Sequence, residues 1–252
     1  MGLALLKLGG SIVTFKNKPV SVNKKAIERI SRQLRKVRKP LIVIHGGGSF
    51  GHYYSVRYDM HTKPARYNLH GISVVRSSMV ELNNHIVKIM VKNKLNPYTV
   101  QPSSLMQGTK SIRSKVHELK KLALNGLIPV THGDVLHYID RSYYILSGDV
   151  LMSMIAKELK PDIAVFALDV DGIYSDPKSK KLIKEIRAAS QAKLSDVPFD
   201  VTGGMDRKIR EAFKMSRMGI DVLMVNGLKP DRIVKALNEK KAEGTLVRGV
   251  KW

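Results

Sequence analysis

An α/β fold is what this sequence predicts, an open and mainly parallel sheet sandwiched by helices. Three observations carry the prediction. Short apolar runs recur along the 252 residues, at Leu3 to Leu8, Leu41 to Ile44, Leu127 to Thr131, Ile163 to Leu168 and Asp221 to Val225. Segments of helical period separate them. Glycine-rich turns follow most of the runs, as expected where ligands gather at the carboxyl ends of parallel strands.

Taken in order, the first run contains Lys7. A lysine there is costly to bury unless an anion or carboxylate meets it. Its place beside Gly9-Gly10-Ser11 favours a functional role over snorkelling from an edge strand. Lys16 and Lys18 follow in a polar loop. Ser21 or Asn23 caps a helix to about Val37, with Ile27, Ile30, Leu34 and Val37 on one face. Pro40 separates that helix from the second strand at 41 to 45. Gly51 to His70 reads as irregular, and Ile72 to Lys92 as a helix with Val75, Met79, Leu82, Ile86 and Met90 on one stripe. The stripe is either ordinary core or the lining of a greasy pocket for a substrate tail, with Asn83 as a polar neighbour.

Tyr98 to Gln101 is a short strand ended by Pro102, and His117 to Asn125 a helix closed by Gly126. The strand Leu127 to Thr131 leads into His132-Gly133-Asp134, and Tyr138 to Leu146 suggests a hairpin. Ser147-Gly148-Asp149 opens a helix through Leu159, where Asp149 either complements the helix dipole or points into a cleft. The strand Ile163 to Leu168 runs into an acidic turn, Asp169-Val170-Asp171-Gly172-Ile173-Tyr174, and residues 176 to 200 read as irregular. Asp200 to Asp206 opens a helix over 205 to 218 that carries Lys208. Asp221 to Val225 is the last central strand, Asp231 to Lys240 the last helix, and Gly244-Thr245 a closing turn.

Composition bounds the partners. Lys and Arg number 44 against 21 Asp and Glu, a formal charge of +23. Such a field attracts polyanions. The basic residues are nevertheless dispersed, densest at Lys24 to Lys39 and Lys178 to Lys184, without interleaved aromatics, which reads as a solvated charged surface rather than a nucleic-acid face. There is no cysteine, so disulfides and thiolate metal sites are excluded and a reducing, cytoplasmic setting is expected. No apolar run approaches a membrane span.

Within this frame, Ile44-His45-Gly46-Gly47-Gly48-Ser49-Phe50-Gly51-His52 is the stretch around which the chain is organised. A strand delivers it, three glycines clear the turn of side chains, and backbone amides can close on an anion. Gly46, Gly48 and Gly51 also fit G-x-G-x-x-G, but the dinucleotide motif expects an acid about 20 residues on. Tyr67 to Ser73 has none, and Asp59 comes too early. No Lys-Ser or Lys-Thr closes a Walker loop. A glycine run after a strand can serve only as a turn; the functional reading is a phosphate site with His52 at its edge.

Lys7-Leu-Gly-Gly-Ser11, His45-Gly-Gly-Gly48, Asp169-Val-Asp-Gly-Ile-Tyr174 and Thr202-Gly-Gly-Met205 with Lys208 occur in the order and spacing of the amino acid kinase family, which nearly the whole chain resembles. The resemblance implies an acceptor lobe over residues 1–160 and a nucleotide lobe over 161–252 within one continuous domain. It implies transfer of the ATP γ-phosphoryl group to a carboxylate, carbamate, phosphate or phosphonate. Gly48-Ser-Phe-Gly-His52, Gln101-Pro-Ser-Ser104, His132-Gly-Asp134, Ser147-Gly-Asp149 and Asp200 to Met205 resemble the branch that phosphorylates isopentenyl phosphate to its diphosphate, late in an alternative mevalonate route typical of archaea. Two positions depart: Phe15 stands where an acid commonly precedes the loop lysine, and Val150 where a second acid follows Asp149.

Phosphate attacking phosphate needs positive charge and amide donors more than a base. The resemblance then implies Lys7 on the γ-phosphoryl group, Lys208 on the leaving β,γ-bridge, Asp149 orienting the lysines, and Lys16 assisting. It places Gly9, Gly10, Ser11 and Gly48 on the nucleotide phosphates and Asp169, Tyr174 and Gly204 in the nucleotide pocket. By the same resemblance Gly47, His52 and Gly148 are expected to hold the acceptor phosphate. Mg²⁺ is expected on ATP oxygens and water, with no protein ligand set, and a homodimer through the acceptor lobe is expected. The rival readings are a fosfomycin or uridylate kinase of the same fold and, more distantly, a basic nucleic-acid-binding protein.

Overall fold

The computed structural model describes residues 2–176, 181–187 and 204–250. An eight-stranded sheet organises them. In chain order its strands are β1 (Ala4–Leu8), β2 (Leu41–His45), β3 (Pro97–Thr99), β6 (Ile128–His132), β9 (Ile163–Leu168), β10 (Glu185–Arg187), β11 (Asp221–Asn226) and β12 (Gly244–Arg248). They lie side by side as β10-β12-β11-β9-β1-β2-β6-β3. Every neighbouring pair is parallel except β11 with β12. Two small hairpins stand apart, β4 (Met106–Gln107) with β5 (Lys110–Ser111), and β7 (Asp134–His137) with β8 (Tyr143–Leu146).

The helices are α1 (Gly10–Val13), α2 (Lys24–Leu34), α3 (Gly48–Arg57), α4 (Leu69–Lys92), α5 (Pro102–Leu105), α6 (Arg113–Leu124), α7 (Gly148–Leu159), α8 (Gly204–Arg217) and α9 (Pro230–Glu239). They divide between the two faces of the sheet. One apolar cluster joins Leu5, Ile44 and Phe166 to α6, α7 and α8, and a second joins Leu6, Val43 and Val165 to α2, α4 and α9. Side chains alternate across a strand, so Lys7 shares the face of Leu3 and Leu5. It therefore points toward α7, between Ile44 of β2 and Phe166 of β9 in register.

Caps set the long helices as short-range chemistry dictates. Asn23 accepts from the Ala26 amide, Asn68 from Gly71 and Ser147 from Val150. Three expectations need correction, the first being residues 185–187, which lie in the stretch read as irregular and form β10 through parallel pairing with β12, a long-range contact. Residues 51–57, read as irregular, form most of α3, which starts inside the glycine loop. Its apolar spacing is weak because only Ser49, Phe50 and Ser55 are buried, so periodicity could not reveal it. Gly244-Thr245, read as a turn, begins β12, whose antiparallel pairing with β11 is a long-range event. The hairpin expected at 138–146 is the β7–β8 pair, beginning at Asp134. Among the described residues no helix is long and apolar enough to cross a membrane.

Candidate active site

Five strands end on one rim, and main-chain hydrogen bonds tie their turns together. Gly46 donates to the Leu8 carbonyl (3.0 Å), Gly9 to Ala167 (3.0 Å), Gly133 to His45 (3.2 Å) and Gly227 to Leu168 (2.7 Å). At the centre the loops after β1 and β2 touch through glycine. A Cβ on Gly10 would lie 2.5 Å from the Gly48 nitrogen, and one on Gly46 would lie 3.0 Å from the Gly10 nitrogen and 3.6 Å from Lys7 Nζ. Gly48 has φ +50°, the left-handed region that favours glycine, and its Cβ would collide with Thr14. Thr14 Oγ1 locks the two loops by donating to the Gly10 carbonyl (2.8 Å) and accepting from the Ser49 amide (2.9 Å).

Asp149, in the first turn of α7, gathers three cations below these loops. Lys7 Nζ lies 2.5 Å from Oδ1, while Arg207 Nε and Lys208 Nζ approach Oδ2 at 3.4 and 3.5 Å. Lys7 and Asp149 are buried. Burial alone would push the Asp149 carboxyl upward, but Lys7, Lys208 and Arg207 together hold it down at about 2. Burial, then Lys7, pushes the Lys208 ammonium down against the pull of Asp149. Asp149 thus points into the site. Lys208 Nζ also donates to the Gly204 carbonyl (3.0 Å) at the start of α8. Arg207 was not foreseen, because its neighbour Lys208 carried the whole family motif and only the three-dimensional approach to Asp149 distinguishes it.

Lys16 is not part of that cluster. Its Nζ lies 2.6 Å from Asp169 Oδ2, just beyond β9. Burial raises the Asp169 carboxyl, but hydrogen bonds and charge from Lys16, with a hydrogen bond from Ser11, bring it below its ordinary value. Nearby, Asp171 Oδ1 accepts from Asn226 (3.0 Å), Lys229 (3.3 Å) and Arg232 (2.6 Å), and Tyr174 Oη accepts from the Asp171 amide (3.3 Å). Lys178 and the Asp200-Val-Thr-Gly203 part of the last glycine motif lie outside the described residues; Gly204 and Lys208 lie within them.

On the opposite side of the rim, Met79 Sδ of α4 would stand 3.0 Å from a Cβ on either Gly47 or Gly51. His52 occupies the second turn of α3 and is exposed. Of the other stripe residues, Leu82, Ile86 and Met90 belong to the core against α2 and Val75 to a small cluster with Met60, Ile72 and Val135, while Met79 lies against the loop. Asn83 is buried as well, bridging His45 Nε2 (3.3 Å) and Thr99 Oγ1 (3.2 Å). The His45 ring stacks on His132 at 5.1 Å between centroids, and its Nδ1 lies 3.1 Å from the Gly46 carbonyl. Burial, helped by His132, pushes His45 down to about 3, so it is neutral at physiological pH. Gly148 and Gly133 close this wall: a Cβ on Gly133 would sit 2.9 Å from the Gly148 nitrogen, and one on Gly148 would sit 2.9 Å from the His45 carbonyl.

Main-chain amides facing clustered cations at the carboxyl rim of a parallel sheet define a phosphoryl-transfer site, and the chain belongs to the amino acid kinase family, whose sequence profile matches residues 2–226. Its relatives narrow the class. The isopentenyl phosphate kinase of Thermoplasma acidophilum is 34% identical over 251 residues, spanning 98% of this chain and 100% of that protein. The isopentenyl phosphate kinase of Methanocaldococcus jannaschii is 32% identical over 249 residues, 93% of this chain and 95% of that one. The crystal structure of the T. acidophilum enzyme in its product complex matches with a TM-score of 0.81 at 31% identity, covering 98% of this chain and 100% of that chain.

Proposed function

We propose that this chain is an ATP-dependent isopentenyl phosphate kinase, producing isopentenyl diphosphate and ADP. The observation that carries the reading is the Asp149-held set Lys7, Lys208 and Arg207 beneath two touching glycine loops. Such a site supplies charge and amides where two anions must meet, and no strong base. The acceptor phosphate needs none, because it is already ionised near neutral pH.

In this reading an acceptor oxygen forms a bond to the γ-phosphorus as the bond from that phosphorus to the β,γ-bridging oxygen breaks, and ADP departs with the electron pair. Lys7 meets the transferring group and Lys208 the leaving bridge, with Arg207 beside it. Asp149 keeps the lysine heads in place. Lys16 leaves Asp169 to join the β- or γ-phosphate. Gly9, Gly10, Ser11 and Gly48 cradle the nucleotide phosphates, a cradle that any Cβ on Gly10 or Gly48 would fill. Asp169, Tyr174 and Gly204 border the nucleotide, while Gly47, Gly148 and His52 hold the acceptor phosphate. Residues 1–160 form the acceptor lobe and 161–252 the nucleotide lobe, and two chains pair through the former.

Mg²⁺ accompanies ATP and supplies charge neutralisation of its phosphates. Among the described residues no three His, Asp or Glu side chains cluster to hold a metal, and Asp149 and Asp169 are engaged by lysines. In this reading ATP phosphate oxygens and water would hold the ion.

The test is ADP release with ATP and Mg²⁺ on isopentenyl phosphate, beside fosfomycin, uridylate, glutamate and carbamate, for the wild type and His52→Ala. Preference for isopentenyl phosphate that collapses in the variant is the expected result. Turnover of another acceptor alone would replace the assigned substrate while leaving the family intact.

A further inference from the structure

Behind the acceptor glycines lies a buried carboxylate that the reaction as described does not use. Asp134 opens β7 directly after Gly133, and its side chain is 0% exposed. Its Oδ1 accepts from the Val135 amide (2.8 Å). Its Oδ2 accepts no hydrogen bond among the described residues and faces Arg76 Nη2 at 3.5 Å. A buried, half-satisfied carboxylate is destabilising, so its presence calls for a role. Burial pushes its pKa to about 6 against the pull of Arg76.

Arg76 lies on α4 one turn before Met79, the residue that packs on Gly47 and Gly51. Asp134, its anchor, is bonded in sequence to Gly133, which abuts the Gly148 amide. The guanidinium is thus tethered between the two walls that bear the acceptor glycines. It is 38% exposed, and Asp134 is its ion-pair partner among the described residues. A guanidinium carries five donors in a fixed fork suited to phosphate, and one long contact to a carboxylate leaves most of them free.

We propose that Arg76 is a further contact for the phosphate group of the acceptor, and that Asp134 is a positioning residue that aims it. This rests on the reading of that rim as a phosphate-acceptor site. Arg76 complements His52 by meeting the phosphate from the α4–β7 side, and it contributes to choosing a dianionic acceptor over a carboxylate.

Steady-state kinetics on Arg76→Ala, Arg76→Lys, Asp134→Asn and the double variant Arg76→Ala/Asp134→Asn test the proposal. Loss of a charged hydrogen-bond pair is expected to raise the KM for the acceptor about tenfold to a hundredfold in Arg76→Ala. The KM for ATP stays unchanged. Arg76→Lys keeps charge without the fork and falls between, and it serves as the readout if Arg76→Ala does not fold. Asp134→Asn raises the same KM less. The double variant is the decisive measurement: if Arg76 touches phosphate, the double remains as impaired as Arg76→Ala, whereas recovery toward wild type means that Arg76 only neutralises Asp134 and overturns the proposal. An unchanged acceptor KM in Arg76→Ala also overturns it. The wild type is assayed first on isopentenyl phosphate, fosfomycin, uridylate and glutamate, and the KM comparison uses whichever it turns over best. Failure with isopentenyl phosphate alone removes that substrate and leaves Arg76 tested on another phosphate or phosphonate; turnover of glutamate alone overturns both.

Discussion

Replacing Asp149 by Asn keeps the side chain's shape and removes the one negative charge among Lys7, Arg207 and Lys208. At an effective dielectric constant of about 20, a unit pair at the 2.5 Å of Lys7 is worth about 7 kcal/mol, and those at 3.4 and 3.5 Å about 5 each. Desolvation of the buried pair offsets most of that gross attraction, and breaking such a pair by removing one partner leaves a net loss of about 3–5 kcal/mol. At about 2–4 °C per kcal/mol for a chain of this size, the melting temperature falls by about 6–20 °C. On the proposed reading nucleotide phosphates restore an anion to the three cations, so saturating ATP or ADP is expected to raise the melting temperature of the variant by more than that of the wild type. Differential scanning fluorimetry with and without nucleotide, beside kcat for ADP release, makes the comparison. An Asp149→Asn variant that melts with the wild type, gains no extra nucleotide stabilisation and keeps its kcat would refute the argument that this carboxylate organises the cations.

Two further outcomes follow from the same geometry. Gly48→Ala places a Cβ against Thr14 and 2.7 Å from the Gly10 carbonyl at φ +50°, and is expected to lose about 2–4 kcal/mol in urea unfolding from left-handed strain plus overpacking; Gly126→Ala, also at positive φ but in open space, is expected to lose only about 1–2 kcal/mol, and equal losses would contradict the packed contact. His45 is held neutral in the fold down to about 3, while an unfolded histidine takes up its proton near about 6.5, so its contribution is present above about pH 6.5 and is lost as pH falls from there toward about 3. Unfolding of His45→Gln between about pH 4 and 6 is therefore expected to be less pH-dependent than that of the wild type by about 1.4 kcal/mol per pH unit, a difference that leaves out Asp134, whose upward shift runs the opposite way in both proteins.

The buried strands were legible because each is short and largely apolar and most lead straight into a glycine turn, and β9 begins and ends where the sequence placed it. Lys7 was legible for the converse reason: a lysine in such a strand requires an anion, and Asp149 is that anion. What escaped the sequence was pairing at long range. Arg207 and Arg76 look like surface arginines on helices until Asp149 and Asp134 are brought within reach by elements 58 residues away in each case. Helix α3 was hidden by two glycines and a mixed face. The stripe on α4 left two readings open; in the fold all five of its residues are buried, Leu82, Ile86 and Met90 in the core against α2, Val75 beside Met60 and Ile72, and Met79 against the glycine loop.

The contact between Gly10 and Gly48 also bears on how such an enzyme changes over generations. Its floor is main chain, which every sequence supplies in the same form, and the lack of room for a Cβ closes it to ordinary substitution. Heritable variation is left to the walls, where α3, α4 and the β7–β8 pair present His52, Arg76, Met79 and Asp134. On the reading proposed above, exchange of those side chains would alter which molecule is recognised and leave the main-chain floor unchanged. The meeting of two glycines thus divides the site into a part fixed by main-chain geometry and a part set by side-chain chemistry.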